Sequence, residues 1–496
     1  MNKLLHLRPE IIAFFSWAWV MVFEILGSRV VWPYIGNSLF VWTSLIAVIL
    51  WALSLGYYQW WKIADRNANL PIISFILLLV SISLLLLVLI KDPVLLRISN
   101  IFPDVRISSI WIAVFLFSPT SYLLWMLSPI VTKIRLIHLE SSWAVVWKIG
   151  SIWTVWSIVG TLWAGFFLIP FFGVTQLLIV LALFFLILSI FCDFKNHIYA
   201  QWIVALWLIC MFIVFSNMTA YAALNNSFTY DTSYSHIRVS ERIDQSTGRE
   251  VKDLRIDDIT HAWMYQDNND LVYQYTKYYD IFDALSPNAQ EIVMFWGAAY
   301  SYPKHFLEKY PDKHLDVVEI DPKITQIAKK HFRLQETPKL EIHHQDARVF
   351  LNTNVNTYDA ILGDAFGSFV SIPYQLTTRE VAQKKFDMLS DDWVVVLNLI
   401  ASLSWPNAQF LEAEYKTYAE IFPEVFIIPV YSQVSQWSQN IMLVASKNPE
   451  LIEQWIQVDE YKDYFSKIMK LEIPSDTQVL TDNFAPVDYM VAWMHN

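Results

Sequence analysis

Four apolar runs between residues 291 and 364 end in residue types that could do chemistry. EIVMFW ends in Trp296-Gly297-Ala298-Ala299, a small-residue turn that lets backbone approach a ligand closely, or an ordinary turn. HLDVVEI brings Glu319 roughly 20 residues after that turn, the spacing at which a carboxylate can hold both hydroxyls of a ribose. A solvated acid at a strand end reads the same way. KLEIHH leads to Gln345-Asp346-Ala347, where Asp346 can accept from an adenine amino group, cap the helix that follows, or do both. YDAILGD ends on Asp364, which would face the reacting group of a ligand laid across the first two strands and could take a proton from an attacking amine. Each signal is modest alone; the four in order point to one site.

The elements between these runs must position them. SYPKHFLEKY, PKITQIAKKHF and TTREVAQKKFDML read as helices alternating with the strands, with WVVVLNLI as a further strand. That alternation predicts a parallel, doubly wound sheet, in which ligands sit beyond the carboxyl ends of the strands. Upstream, IRVSERI and VKDLRID flank STGRE and predict a β-hairpin around Gly248. Residues 231–285 are thus expected to form a small β subdomain and 286–496 the Rossmann-like domain, with 217–230 as a polar linker.

Residues 1–216 read differently. Seven stretches, at about 11–31, 37–57, 71–90, 108–130, 149–172, 174–192 and 199–216, are each near the ~20 apolar residues of a spanning helix. The expectation is a transmembrane bundle of about seven helices and a multi-pass protein in a lipid bilayer. Lys3, Arg8, Lys62, Arg66, Lys133, Arg135, Lys148 and Lys195 lie in loops on the N-terminal side, against Arg29, Lys91, Arg97 and Arg106 opposite, which favours a cytoplasmic N-terminus. Seven crossings would put the second half outside; one fewer would return it to the cytoplasm. Glu24 is the one acid inside the first span, either a transport residue or a partner for Arg29.

Composition narrows the function. Of 496 residues, 55% are hydrophobic and 16% charged, against roughly 25% charged in ordinary soluble domains. Residues 1–216 carry +5 and the rest −16, so the second half is a poor match for nucleic acid. The only cysteines, Cys192 and Cys210, lie in apolar segments. They exclude a disulfide scaffold and a cysteine zinc site, and no metal is expected.

Residues 231–400 resemble the spermidine synthase family of aminopropyltransferases, whose fold belongs to the class I AdoMet-dependent methyltransferase group. The matching text is SYSHIRV, GRE, DVVEIDPKITQIAKKHF, HHQDARVFL, YDAILGDAF, IPYQLTTRE and VVVLNL, with VLTDNFAPVDYM near the C-terminus. The apolar half resembles the membrane part of bacterial fusions that join a transporter-like bundle to such a domain. The resemblance implies that Glu319 binds ribose, that Asp346 with Ala347 binds adenine, and that Gly297 and Ala298 form the nucleoside turn. It implies Asp364 as the catalytic base, and Tyr234 and His236 over the nucleoside. Tyr374 and Gln375 would line the acceptor pocket.

Two departures bear on the amine. The family's Gly-Gly-Asp-Gly turn, whose Asp holds the polyamine, reads Gly297-Ala298-Ala299-Tyr300 here, and the second acid of its Asp-x-x-Asp falls at Gly367. The implied activity is a membrane-anchored transferase that uses decarboxylated AdoMet, or AdoMet, to move an aminopropyl or methyl group to an amine acceptor. The alternatives are a methyltransferase proper, or a transporter or sensor that binds a nucleoside without turnover. A homo-oligomer is compatible with all three.

One count is abnormal: 23 Trp against 11 Gly, where glycine alone usually makes up about 7% of residues. Trp296 stands where the nucleoside turn calls for glycine, Trp393 at a turn glycine, and Trp60-Trp61 in what reads as a Gly-Gly loop. Trp153, Trp156, Gly160 and Trp163 share one helix face, which as glycine would be a close-packing stripe. Some genetic codes read UGA as glycine and others as tryptophan. Translation with the wrong table would produce this pattern; an interfacial aromatic belt accounts only for tryptophans near helix ends.

Overall fold

The computed structural model describes residues 8–491 apart from 37, 67, 103, 136–141, 170–171, 194–197, 225–226, 246, 258, 365–371, 405–406, 434–436 and 450–461. The chain divides into two compact units, Met1–His236 and Ile237–Asn496.

Among the described residues of the first unit, six helical stretches are long and apolar enough to cross a membrane: Trp17–Ile35, Leu39–Lys62, Leu70–Ile101, Val105–Ile134, Gly150–Leu168 and Val174–Cys192. The seventh expected stretch holds a shorter apolar run, Ala200–Ile213, within the helix Ile198–Leu224. Serine hydroxyls join two of these helices. Ser74 donates to the Ser189 carbonyl at 2.9 Å, Ser189 to the Ser74 carbonyl at 2.7 Å, and Ser81 to the Ala182 carbonyl at 2.8 Å. These bonds tie two apolar helices together through buried backbone carbonyls.

Two expectations are corrected here. Trp60 and Trp61 lie inside the helix Leu39–Arg66 rather than in a loop, because the apolar run continues through YYQWW without a breaker. The stretch 217–230 is not a free linker: the helix runs on to Leu224, and Phe228–Asp231 forms a strand, β1.

The second unit begins with an antiparallel meander of β2 (His236–Ile243), β3 (Glu250–Ile256) and β4 (Ile259–Tyr265). Its first turn is the expected hairpin, with Ile243 facing Glu250 and Gly248 at φ +70°. A helical stretch, Tyr275–Leu285, leads into the main sheet. Its strands are β5 (Glu291–Phe295), β6 (His314–Val318), β7 (Leu340–His343), β8 (Tyr358–Gly363), β9 (Leu389–Ala401), β10 (Glu424–Pro429) and β11 (Gln439–Ser446), in the order β10-β11-β9-β8-β5-β6-β7.

The five strands from β9 to β7 are parallel, as the alternation predicts. β11 and β10 add antiparallel, so the sheet is mixed. These two strands are consecutive in the chain, joined by nine residues, and so short a return pairs antiparallel. The chain moves outward from β5 to β6 and β7, then returns to the other side of β5 at β8. This reversal opens a crevice above the carboxyl ends of β5 and β8.

Candidate active site

The expected carboxylates all stand at this edge. Glu319, just beyond β6, is 2% exposed. Its Oε2 accepts from the Gly297 N–H at 3.2 Å and its Oε1 from the Asp321 N–H at 3.0 Å. Burial pushes its pKa up to about 7, against the pull of these backbone donors. The turn that covers it, residues 296–300, carries positive φ at Trp296 (80°), Ala298 (45°) and Tyr300 (56°). Tyr300 is fully buried and its hydroxyl meets Thr325 Oγ1 at 2.7 Å. Its ring lies 2.7 Å from where a Cβ on Gly297 would stand, so only glycine fits at 297.

Asp346 caps the helix Ala347–Thr353. Its Oδ1 accepts from the Arg348 N–H at 2.8 Å and the Val349 N–H at 3.2 Å. Arg348 forms a fork with Asp482 from the C-terminal motif, at 2.8 and 2.5 Å, and also reaches the Gln375 carbonyl at 3.1 Å. Asp482 further accepts from the Thr378 hydroxyl at 2.7 Å. VLTDNF thereby fixes the helix that Asp346 begins. Ala347 lines a narrow cavity with Pro373, Leu376 and Leu351.

Asp364 follows β8, and its N–H donates to the Phe295 carbonyl at 3.1 Å. Tyr275 donates its hydroxyl to Oδ2 at 2.9 Å, and Asn398 its amide to Oδ1 at 2.8 Å. Asn440 in turn donates to Asn398 Oδ1 at 3.0 Å. Desolvation pushes the Asp364 pKa up to about 6, and hydrogen bonds from Asn398, Tyr275 and Tyr279 pull it down. A cavity of about 150 Å³ opens at this carboxylate. Its walls include His261, Tyr273, Tyr275, Trp296, Asn398 and Tyr431. His261 stacks on Trp296 with ring centroids 5.3 Å apart, and burial pushes its pKa down to about 4, so it is neutral at neutral pH. Among the described lining residues there is no Lys or Arg, and Asp364 is the one carboxylate.

The structure thus brings Gly297, Ala298, Glu319 and Asp364 to one edge, with Asp346 and Ala347 at the end of the neighbouring strands. It does not bring Tyr374 and Gln375 to the cavity at Asp364. Tyr374 is 54% exposed in a short helical turn, Tyr374–Leu376, whose Gln375 carbonyl is held by Arg348, on the Ala347 side of the sheet. Tyr234 and His236 close the first unit, where Tyr234 is exposed and His236 Nδ1 lies 2.7 Å from Asp231. Gly367, the second departure, lies outside the described residues.

Tyr275, Asn398 and Asn440, which hold Asp364, were not expected. Asn398 had a visible signal as the one polar residue inside VVVLNLIA. Tyr275 belongs to a tyrosine-rich run, VYQYTKYY, with no spacing that announces a site.

A family model, the spermine/spermidine synthase domain, matches residues 304–454. The chain is 29% identical over 219 residues to a polyamine aminopropyltransferase of Vibrio vulnificus, covering 41% of this chain and 71% of that protein. It is 26% identical over 230 residues to a probable polyamine aminopropyl transferase of Bifidobacterium longum, covering 42% and 50%. Among solved structures, a probable spermidine synthase from Corynebacterium glutamicum aligns over 52% of this chain and 97% of its own, at 17% identity and a TM-score of 0.42. Residues 304–454 of this chain thus match the spermine/spermidine synthase domain.

Proposed function

We propose that the second unit is a transferase of the aminopropyl type that uses decarboxylated AdoMet as co-substrate, and that the apolar helices anchor it in a membrane. The observation that carries this reading is the row of carboxylates at the switch point, ending in an Asp364 held by Tyr275 and Asn398. In this reading Glu319 takes the ribose hydroxyls. Asp346 takes the adenine amino group through Oδ2, its Oδ1 being occupied by the helix cap.

Asp364 faces the acceptor. Asp364 takes a proton from the acceptor's ammonium group, and the lone pair so freed attacks the propyl carbon bound to sulfur; the C–N bond forms as the C–S bond breaks. The electron pair goes to sulfur, which leaves as the neutral thioether methylthioadenosine. The product leaves as a secondary ammonium, and Asp364 returns the proton it took to solvent. A carboxylate with a pKa near 6 is mostly ionised at pH 7 and still basic enough to take that proton.

The lining of the cavity favours the decarboxylated co-substrate. AdoMet carries a carboxylate, whose strongest partner out of water is a cation, and the described lining offers neither Lys nor Arg while His261 is neutral. The same lining argues against a polyamine acceptor. Asp364 can pair with one ammonium group; Ala299 and the buried Tyr300 offer nothing to a second. A monoamine whose other end is apolar or aromatic fits walls of Tyr273, Tyr431 and Ile400. Calorimetry with the two co-substrates tests the first point: decarboxylated AdoMet should bind at least about tenfold more tightly, and tighter binding of AdoMet would turn the assignment to methyl transfer.

A further inference from the structure

Position 296 is shaped for a residue other than the one that fills it. Trp296 sits at φ +80°, a region that glycine enters freely and a bulky side chain almost never does. The backbone cannot relax out of it. The Trp296 N–H is fixed to the Val318 carbonyl at 2.9 Å, and the preceding carbonyl, of Phe295, takes the Asp364 N–H at 3.1 Å. The side chain gains little in return. Its indole N–H is shielded from water without a hydrogen-bond partner, whereas buried indoles usually find one. The ring projects into the crevice and lines the cavities on both sides together with Asp364. It shares the lining of one cavity with Gly297, whose N–H holds Glu319, and with Asp364.

A second observation comes from the helix Ser142–Trp163 in the first unit. A Cβ at Gly160 would stand 2.2 Å from the Ala18 carbonyl oxygen, so the two helices meet there backbone to backbone. On the same face, Trp153 stacks on Trp17 at 5.0 Å and Trp163 tilts on Trp19 at 5.7 Å. The indole N–H of Trp153 is buried without a partner, as are those of Trp32 and Trp125. A close-packed helix pair calls for small residues at these positions.

We propose that position 296 is a glycine position in the working protein, that its codon is read there as glycine, and that a tryptophan at 296 blocks the seat of the co-substrate's sulfonium. The blocking rests on the function proposed above; the glycine assignment rests on backbone conformation and packing alone. Three readouts on the full chain in detergent separate the two.

The Trp296→Gly variant should melt at a higher temperature than the tryptophan form, and it should bind methylthioadenosine at least tenfold more tightly by calorimetry. Trp296→Ala, which empties the space but keeps a Cβ at positive φ, should gain binding with less gain in melting temperature. A lower melting temperature for Trp296→Gly than for both other forms overturns the glycine assignment. A higher melting temperature without binding of methylthioadenosine upholds that assignment and overturns the nucleoside reading instead. The third readout is the mass of the proteolytic peptide spanning residue 296 from the cells that carry the gene. Glycine is expected; tryptophan there, or a UGG codon, overturns the proposal.

Discussion

Replacing Asp364 by asparagine separates its chemical role from its structural one. The carboxylate lines the cavity, and desolvation pushes its pKa up to about 6 from the ordinary 3.8. Its folded state therefore disfavours the charge. The stability is full below about pH 4 and is lost as the pH rises to about 6, by about 3 kcal/mol in all. The asparagine amide carries no charge and would escape that loss. It would also turn an N–H toward Tyr275 or Asn398, both donors at 2.9 and 2.8 Å. Asn398 cannot flip freely, because its oxygen already accepts from Asn440. One mismatched donor costs about 1–3 kcal/mol. The two effects offset, so at pH 7.5 the melting temperature should stay within about 5 °C, at the 2–4 °C per kcal/mol typical of a domain this size. Turnover, in contrast, should fall about 10²- to 10⁴-fold with the loss of a general base. The wild-type kcat/KM should rise with pH to about 6 and then level off, and the variant should lack that limb. The assay is methylthioadenosine release against pH, beside thermal melts. Turnover within about threefold of wild type would refute the assignment of the base; loss of turnover together with a collapsed melting temperature would reduce Asp364 to a structural residue.

Other outcomes follow from the same geometry. The wild-type affinity for methylthioadenosine should weaken as the pH falls through about 7, where Glu319 takes up a proton. Glu319→Gln should bind about tenfold or more weakly with a flat pH profile, and calorimetry at pH 6 and 8 reads both. Arg348→Lys removes the fork to Asp482 that fixes the helix behind Asp346. It should raise KM for the co-substrate several-fold with kcat retained, and a drop in kcat alone would contradict this positioning role. Were the six long apolar helices each to cross a membrane, as proposed, the chain would return to its starting side, so a reporter inserted at residue 226 should report the cytoplasm if the N-terminus does. Opposite readings at the two places would make Ile198–Leu224 a seventh span.

The site was half legible in the sequence, and the dividing line is physical. Glu319, Asp346 and Asp364 each close an apolar run, and in a parallel sheet every such run ends at the same edge, so local pattern was enough to gather them. Asn398 and Asn440 become neighbours only through the pairing of β9 with β11, in which Asn398 faces Met442 and Asn440 faces Ile400. Antiparallel register is not written in either strand alone. Tyr275 arrives from 89 residues before Asp364. Tyr374 and Gln375 are not among the lining residues of the cavity at Asp364, and Arg348 holds their turn through the Gln375 carbonyl. The apolar helices were legible from length and composition. Their ends were not, since the chain carries helix past residue 216 through SNMTAYAAL, which has no glycine or proline to stop it.

The central claim is that an aminopropyl group moves from a decarboxylated adenosylsulfonium to an amine beside Asp364. Mass spectrometry of the products tests it most directly. Purified full-length protein would be offered decarboxylated AdoMet or AdoMet, with putrescine and a set of monoamines, and the Trp296→Gly form would be run in parallel. The account predicts methylthioadenosine and an aminopropylated monoamine from the Trp296→Gly form, from decarboxylated AdoMet only, with putrescine the poorer acceptor. Adenosylhomocysteine with a methylated product would contradict it, and so would putrescine turned over with a KM in the micromolar range common among enzymes.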